Sequence, residues 1–262
     1  MKKALLAGSM LIIAATVPAF AADVAPRMVT KAPIAPVAYS WSGCYIGANV
    51  GGKWGSSDLG VTSGAVPGNA AAALGFGTDR TGASFIGGGQ IGCNWQAPGS
   101  GWVFGLEGDA DWQRLRQTRT ARGAPPIPFL VGDTFDLRSD WQASARGRIG
   151  YAFDRWMFYA TGGAAFTDLQ VANTFVPSTG VPAGSFGSDK KSIVGATFGA
   201  GMEYAFFNNW SVGVEARYSW YGNQTFNTGT MTIGPAPLTF APITQTVKYE
   251  TFEATARLNW RF

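Results

Sequence analysis

The last eleven residues, FEATARLNWRF (Phe252–Phe262), alternate without a break. In an extended strand Phe252, Ala254, Ala256, Leu258, Trp260 and Phe262 share one face, and Glu253, Thr255, Arg257, Asn259 and Arg261 share the other. The last residues of a water-soluble domain usually fray, and few such domains end on an apolar strand closed by an aromatic ring. A strand that crosses an outer membrane has this pattern, with apolar side chains toward lipid and polar ones toward the lumen.

The same alternation recurs upstream between aromatic residues ten positions apart. Phe85 and Trp95, Trp102 and Trp112, Trp141 and Tyr151, Trp156 and Phe166, Trp210 and Trp220, and Phe252 and Phe262 form such pairs. An even spacing keeps both rings on one strand face. Ten steps of about 3.3 Å on a strand tilted roughly 40° climb about 25 Å, the height of the apolar band between two aromatic girdles. Tight turn signals at Ala97–Ser100, Asp154–Arg155 and Asn208–Asn209 alternate with long Gly-, Pro-, Thr- and Ser-rich links near 55–82, 117–133, 173–189 and 223–244. The expected fold is all-β: an eight-stranded antiparallel transmembrane barrel with short periplasmic turns, four long extracellular loops and both ends of the barrel in the periplasm. The first strand, near Gly43 to Trp54, is Gly-rich and its facing is ambiguous. A soluble eight-stranded barrel is the competing architecture, with apolar residues inside. The girdle spacing, the interior-type charges and the terminal aromatic favour the membrane form.

The first residues read as an export signal. A short basic start, Met1-Lys2-Lys3, precedes an apolar run from Ala4 to Val17, too short to span a bilayer, and Ala19-Phe20-Ala21 supplies a cleavage site. Residues 1–21 are expected to be removed, 22–40 to form a Pro-rich periplasmic lead-in, and 41–262 to form the barrel. Losing Lys2 and Lys3 takes the net charge from +4 to +2 (4 − 2), too small to suggest nucleic acid as a partner.

The inward set is Glu107, Asp109, Asp111, Glu203, Glu215 and Glu253 against Arg146, Arg148, Arg217, Arg257 and Arg261. An eight-stranded barrel is just wide enough for side chains to fill it. Buried charges persist only when paired, so a ladder of salt bridges is expected, for example Glu107 with Arg148 and Glu253 with Arg217. A narrow, weakly selective pore is the alternative. The chain has no histidine, which removes His-dependent triads and imidazole metal sites. Asp109 and Asp111 share a face as an acid/base pair would, but interior ion pairing explains them more simply. The G-x-G-x-x-G string at Gly87–Gly92 sits mid-strand and is not a dinucleotide loop. No enzyme activity and no cofactor or metal are expected.

Cys44 and Cys93 lie near the turn ends of the first two barrel strands, within bonding reach in an oxidising compartment. A bridge between them would stabilise by roughly 4 kcal/mol through lost chain entropy. Arg114, Arg116, Arg119 and Arg122 continue past Trp112, where lipopolysaccharide phosphates sit, and Arg114 and Arg116 are candidate contacts to them.

WSGCYIGANVGG (Trp41–Gly52), GGGQIGCNWQ (Gly87–Gln96), GRIGYAF (Gly147–Phe153) and ARLNWRF (Ala256–Phe262) together resemble the small porin-like outer membrane immunogenic proteins, of the OmpA/opacity-type barrel superfamily. The resemblance covers the chain from about Trp41. It implies an abundant surface-exposed envelope barrel with no catalytic residues and no peptidoglycan-binding domain. The terminal strand, with Trp260 and Phe262, is expected to be the signal read by the barrel-assembly machinery. The role expected is envelope integrity. A narrow passive porin and adhesin-like contact through the loops stay open as alternatives.

Overall fold

The computed structural model describes residues 39–63, 78–80, 83–120, 132–175, 184–233 and 239–262. The expected signal peptide, almost all of the lead-in, and Arg122 lie outside them. The strands are β1 (Gly43–Ser63), β2 (Thr78–Arg80), β3 (Ser84–Gln96), β4 (Trp102–Thr120), β5 (Thr134–Phe153), β6 (Trp156–Phe175), β7 (Gly184–Ala205), β8 (Trp210–Ile233) and β9 (Thr239–Arg261). β1 and β3 to β9 pair antiparallel in chain order, and β9 returns to β1 from Tyr45↔Arg261 to Ser63↔Ile243. Eight strands therefore close a ring that leaves no sheet edge along the paired region. β2 was not foreseen. It pairs with Ser56–Asp58 on the edge of β1 that β3 occupies lower down.

Three tight turns lie at one end, here called the turn end. Ala97 and Ser100 close the first with main-chain bonds of 3.1 Å. Asp154 closes the second with φ 51°, a left-handed conformation that short polar residues tolerate. The opposite, distal end differs from expectation. Strands continue through much of what the composition suggested were loops, leaving 64–83, 121–133, 176–183 and 234–238 between the long strands. The Gly-, Thr- and Ser-rich composition was misleading because cross-strand pairing overrides local propensity.

The strands carry two opposite patterns along their length. From the turn end to the level of Trp112, Trp141, Trp220 and Phe252, apolar residues such as Ile91, Leu106, Phe198, Val214 and Leu258 are exposed outside. Their neighbours inside are buried and, beyond the apolar cluster at the turn end itself, mainly polar. Beyond that level the order inverts. Leu115, Leu137, Leu169, Val171, Ile193, Phe226, Val247 and Tyr249 are buried together inside, while Arg114, Arg116, Arg138, Lys190 and Lys248 face out. The distal half thus has the inside-out arrangement expected of a soluble barrel, stacked on a membrane barrel in the same strands.

In β5 a bulge makes the switch. The register with β6 slips between Arg138 and Gln142. Inward positions run Arg148, Arg146, Ser144, Gln142 and then Ser139, Leu137, Phe135, so Arg138 is turned out. One inserted residue flips every later side chain to the other face. Asp168 holds the bulge, accepting the main-chain N–H groups of Asp140 (2.9 Å) and Trp141 (3.0 Å) and pairing with Lys190 at 3.0 Å. In β8 the parity changes between Tyr221 and Phe226, where Gly222 takes φ 67°.

The inversion is expected to mark one edge of the lipid band. A nitroxide carried on a cysteine at Ala110 should collide with oxygen and one at Thr118 with a water-soluble nickel complex, in refolded protein in vesicles. Equal aqueous access at both positions would contradict the boundary.

Candidate functional site

Among the described residues, three layers of side chains pack inside the lumen. At the turn end Trp41 crosses the mouth and packs with Val103, Ala152, Met157, Tyr159 and Ala205. Its indole N–H donates to the Asp154 carbonyl at 3.2 Å, and its main-chain N–H to Gln96 Oε1 at 2.8 Å. Tyr39 stacks edge-on against it at 5.2 Å. Arg261, expected inside the charge ladder, instead places its guanidinium 4.5 Å from the Tyr39 ring and 5.8 Å from that of Trp41. The terminal residues of β9 have passed the mouth by that point, so Arg261 closes the cap.

The middle layer is a charge network. Arg148 pairs with Glu203, stacks on Tyr159 at 3.6 Å, and lies 3.8 Å from Glu107. Its expected link to Glu107 is therefore the longer of its two. One step deeper, Arg146 and Arg257 both bridge Glu107 and Glu215. Arg146 also reaches Asp109 at 2.9 Å, and Arg257 donates to the Tyr159 hydroxyl at 3.1 Å. Arg217 then joins Asp109 (2.7 Å), Asp111 (3.2 Å) and Glu253. Its contact with Glu253 is one of the two pairs named from the sequence.

Above this, Lys53 is fully buried, donates to Gln142 and lies 3.9 Å from Glu253. Gln142 donates in turn to Asp111 and Glu253. Six carboxylates and five cations make up the layer, Lys53 being the fifth cation in place of Arg261 in the expected count, at the opposite end of the layer. The distal apolar cluster packs inside the strands beyond this layer. A residual cavity of about 20 Å³ near Ser57, Gln117 and Val247 has room for about one water.

The sequence reading missed Lys53, Tyr45 and Tyr159. The signal for two of them was present. Tyr45, Asn49 and Lys53 alternate with Gly47 and Gly51, and treating the glycines as inward positions would have aligned the set. Glycines on neighbouring strands make room for the two tyrosines. The Tyr45 hydroxyl lies 2.5 Å from where a Cβ on Gly92 would sit, and the Tyr159 hydroxyl at the same distance from one on Gly201.

The aromatic bookends are all exposed on the outer face. Phe85, Trp112, Trp141, Phe166, Trp220 and Phe252 belong to the distal row. Trp95, Trp102, Tyr151, Trp156, Trp210 and Phe262 belong to the turn-end row. Trp54, left unassigned by the ambiguous first strand, joins Phe252 in the distal row at 5.8 Å. Cys44 and Cys93 face each other across β1 and β3 and are disulfide-bonded. Arg114 and Arg116 point outward beyond Trp112, but Arg119 does not belong with them: it is buried inside and donates to the Ser57 carbonyl at 2.6 Å. Trp260 and Phe262 stack at 5.6 Å outside, and the Phe262 N–H donates to the Cys44 carbonyl at 3.0 Å.

A closed eight-stranded barrel, with an apolar outer band and a paired polar interior, is a membrane β-barrel. The chain belongs to the outer membrane protein beta-barrel family, whose Outer membrane protein beta-barrel domain matches residues 7–262. It is 34% identical over 208 residues to the 31 kDa outer-membrane immunogenic protein of Brucella melitensis, covering 79% of this chain and 82% of that one. It is 28% identical over 199 residues to a 22 kDa outer membrane protein of Rhizobium leguminosarum, covering 75% and 72%. Among solved structures, OprG from Pseudomonas aeruginosa aligns with a TM-score of 0.46 at 12% identity, over 84% of this chain and 96% of that one. The protein is an outer-membrane protein.

Removing one member of a buried charge network leaves its partners unpaired in a low dielectric. Arg257→Met should therefore lower the unfolding free energy of the refolded barrel by about 3–5 kcal/mol in urea titrations. A loss under about 1 kcal/mol, the range of exposed pairs, would mean that water reaches Glu107 and Glu215.

Proposed function

We propose that the protein is a closed, non-enzymatic envelope barrel whose contribution is mechanical integrity and surface exposure rather than transport. The observation that supports this reading is the packing inside the described strands: Trp41 at the turn end, the arginine–carboxylate layer in the middle, and the Leu115–Phe226–Tyr249 cluster beyond it. The three layers lie in series, so loosening one leaves two in place. Asp109 and Asp111 are already engaged by Arg217, Ser144, Asn49 and Gln142, an arrangement that holds carboxylates still rather than freeing one for proton transfer.

In this reading residues 1–21 are the export signal and 22–40 the lead-in, with the tight turns in the periplasm and the polar distal half rising above the lipid. The Trp260–Phe262 pair on the outer face of the closing strand is the part that the assembly machinery would read. The Brucella relatives are named as immunogenic, which fits display of the distal end at the cell surface.

Refolded mature protein in planar bilayers should be silent, and Arg146→Ala/Arg148→Ala should stay silent because both apolar closures remain. Reproducible conductance steps from the wild type, with folding shown by heat-modifiable gel mobility, would replace this reading with a narrow porin.

A further inference from the structure

The outer wall carries a recess at the polarity boundary that none of the lumen chemistry uses. It lies over β3, β4 and the adjoining part of β5, is open to the outside with a volume of about 570 Å³, and is lined by Phe85, Gly87, Trp112, Gln113, Arg114 and Asp140. Phe85 and Trp112 are 69% and 76% exposed, among the most exposed large apolar side chains of the barrel. Gly87 between them removes the side chain that would fill the floor. The apolar half of the recess therefore sits in the lipid band and its upper rim in the polar zone.

The rim is basic and incompletely neutralised. Arg114 and Arg116 project from the same face of β4 and are exposed, and among the described residues neither has an ionic partner. Arg116 stands directly across from Arg138 on β5, a like-charge pairing that is unfavourable without a counter-ion. Arg138 is satisfied by Asp140 at 2.8 Å, which also occupies the one carboxylate lining the recess. Two unpaired guanidinium groups thus remain above an apolar slot. Guanidinium groups favour phosphate oxygens, which they can bind in pairs.

We propose that this recess binds one phosphate-bearing acylated glycolipid of the outer leaflet, with an acyl chain against Phe85, Gly87 and Trp112 and its phosphate held by Arg114 and Arg116. The assignment to the outer leaflet rests on the orientation given under Proposed function. Charge complementarity and the coincidence of apolar floor and basic rim at the inversion level argue for an amphiphile of this class.

The test uses the refolded mature barrel in detergent, titrated with purified bisphosphorylated lipid A and followed by native mass spectrometry. Arg114→Ala/Arg116→Ala should weaken binding about tenfold, and chemical removal of the lipid's phosphates should weaken wild-type binding similarly. Trp112→Ala should weaken binding of the phosphorylated and dephosphorylated lipids alike. Heat-modifiable gel mobility confirms that each variant is folded. Undiminished binding by the double variant would overturn the proposal, as would equal affinity for phosphatidylglycerol, which would make the rim a general anionic-lipid surface. Labelling of a cysteine at Thr118 from the medium of intact cells tests the orientation separately. Failure there with intact lipid A selectivity would overturn the placement in the outer leaflet and leave the recess chemistry standing.

Discussion

A ring of eight strands has an interior with room for side chains and little else, and the whole of this structure answers to that width. The inward charged groups of the middle layer find their partners across the lumen, where an unpaired charge would be costly. Glu107 shows the consequence. It is held by Arg146 from β5, by Arg257 from β9 and by the Tyr45 hydroxyl from β1, with Arg148 close by. One carboxylate thereby ties four strands together through the lumen. Glu215 and Arg217 do the same from β8. Main-chain pairing closes the wall, and the charge network braces it from within.

The second constraint is that the solvent changes along the strands while the backbone does not. Within the lipid band an outward Leu106 or Phe198 is in its preferred medium and an inward arginine is not. Beyond the band the preferences reverse. In β4 and β9 the residue types switch faces with no change of strand parity, Leu115 following Gln113 and Val247 preceding Glu253 on the inside. In β5 the backbone switches instead, through the bulge held by Asp168. The two solutions meet at one level, marked by the distal aromatic row.

The turn end is closed by a different device. Tyr39 and Trp41 precede the first strand and are tied to all three turns: Trp41 reaches Gln96 and Asp154, and the Tyr39 hydroxyl reaches the Asn208 carbonyl at 3.4 Å. Arg155 and Arg261 hold Tyr39 from either side. A segment outside the barrel strands thus becomes part of the barrel's core, which joins the packing of the mouth to the geometry of the turns.

The strand count, the antiparallel order, the membrane-facing set and ten of the buried charges were all readable from the sequence, because a period of two and a repeated ten-residue height are local signals. Which charge meets which was not, since pairing across a lumen depends on shear and register, and these join residues as distant as Glu107 and Arg257. Lys53 escaped because the glycines around it hide the alternation, and those glycines make sense only beside the neighbours that crowd them, Asn259 at Gly47 and the Ala254 main chain at Gly51. The reach of the strands past the aromatic row was hidden for a similar reason: Thr-, Ser- and Gly-rich segments look like loops until a neighbouring strand pairs with them. The sequence by itself determined the solvent and the architecture. The tertiary structure decided what meets inside the lumen, because only ring closure brings Trp41, the arginine layer and the Leu115 cluster into one interior.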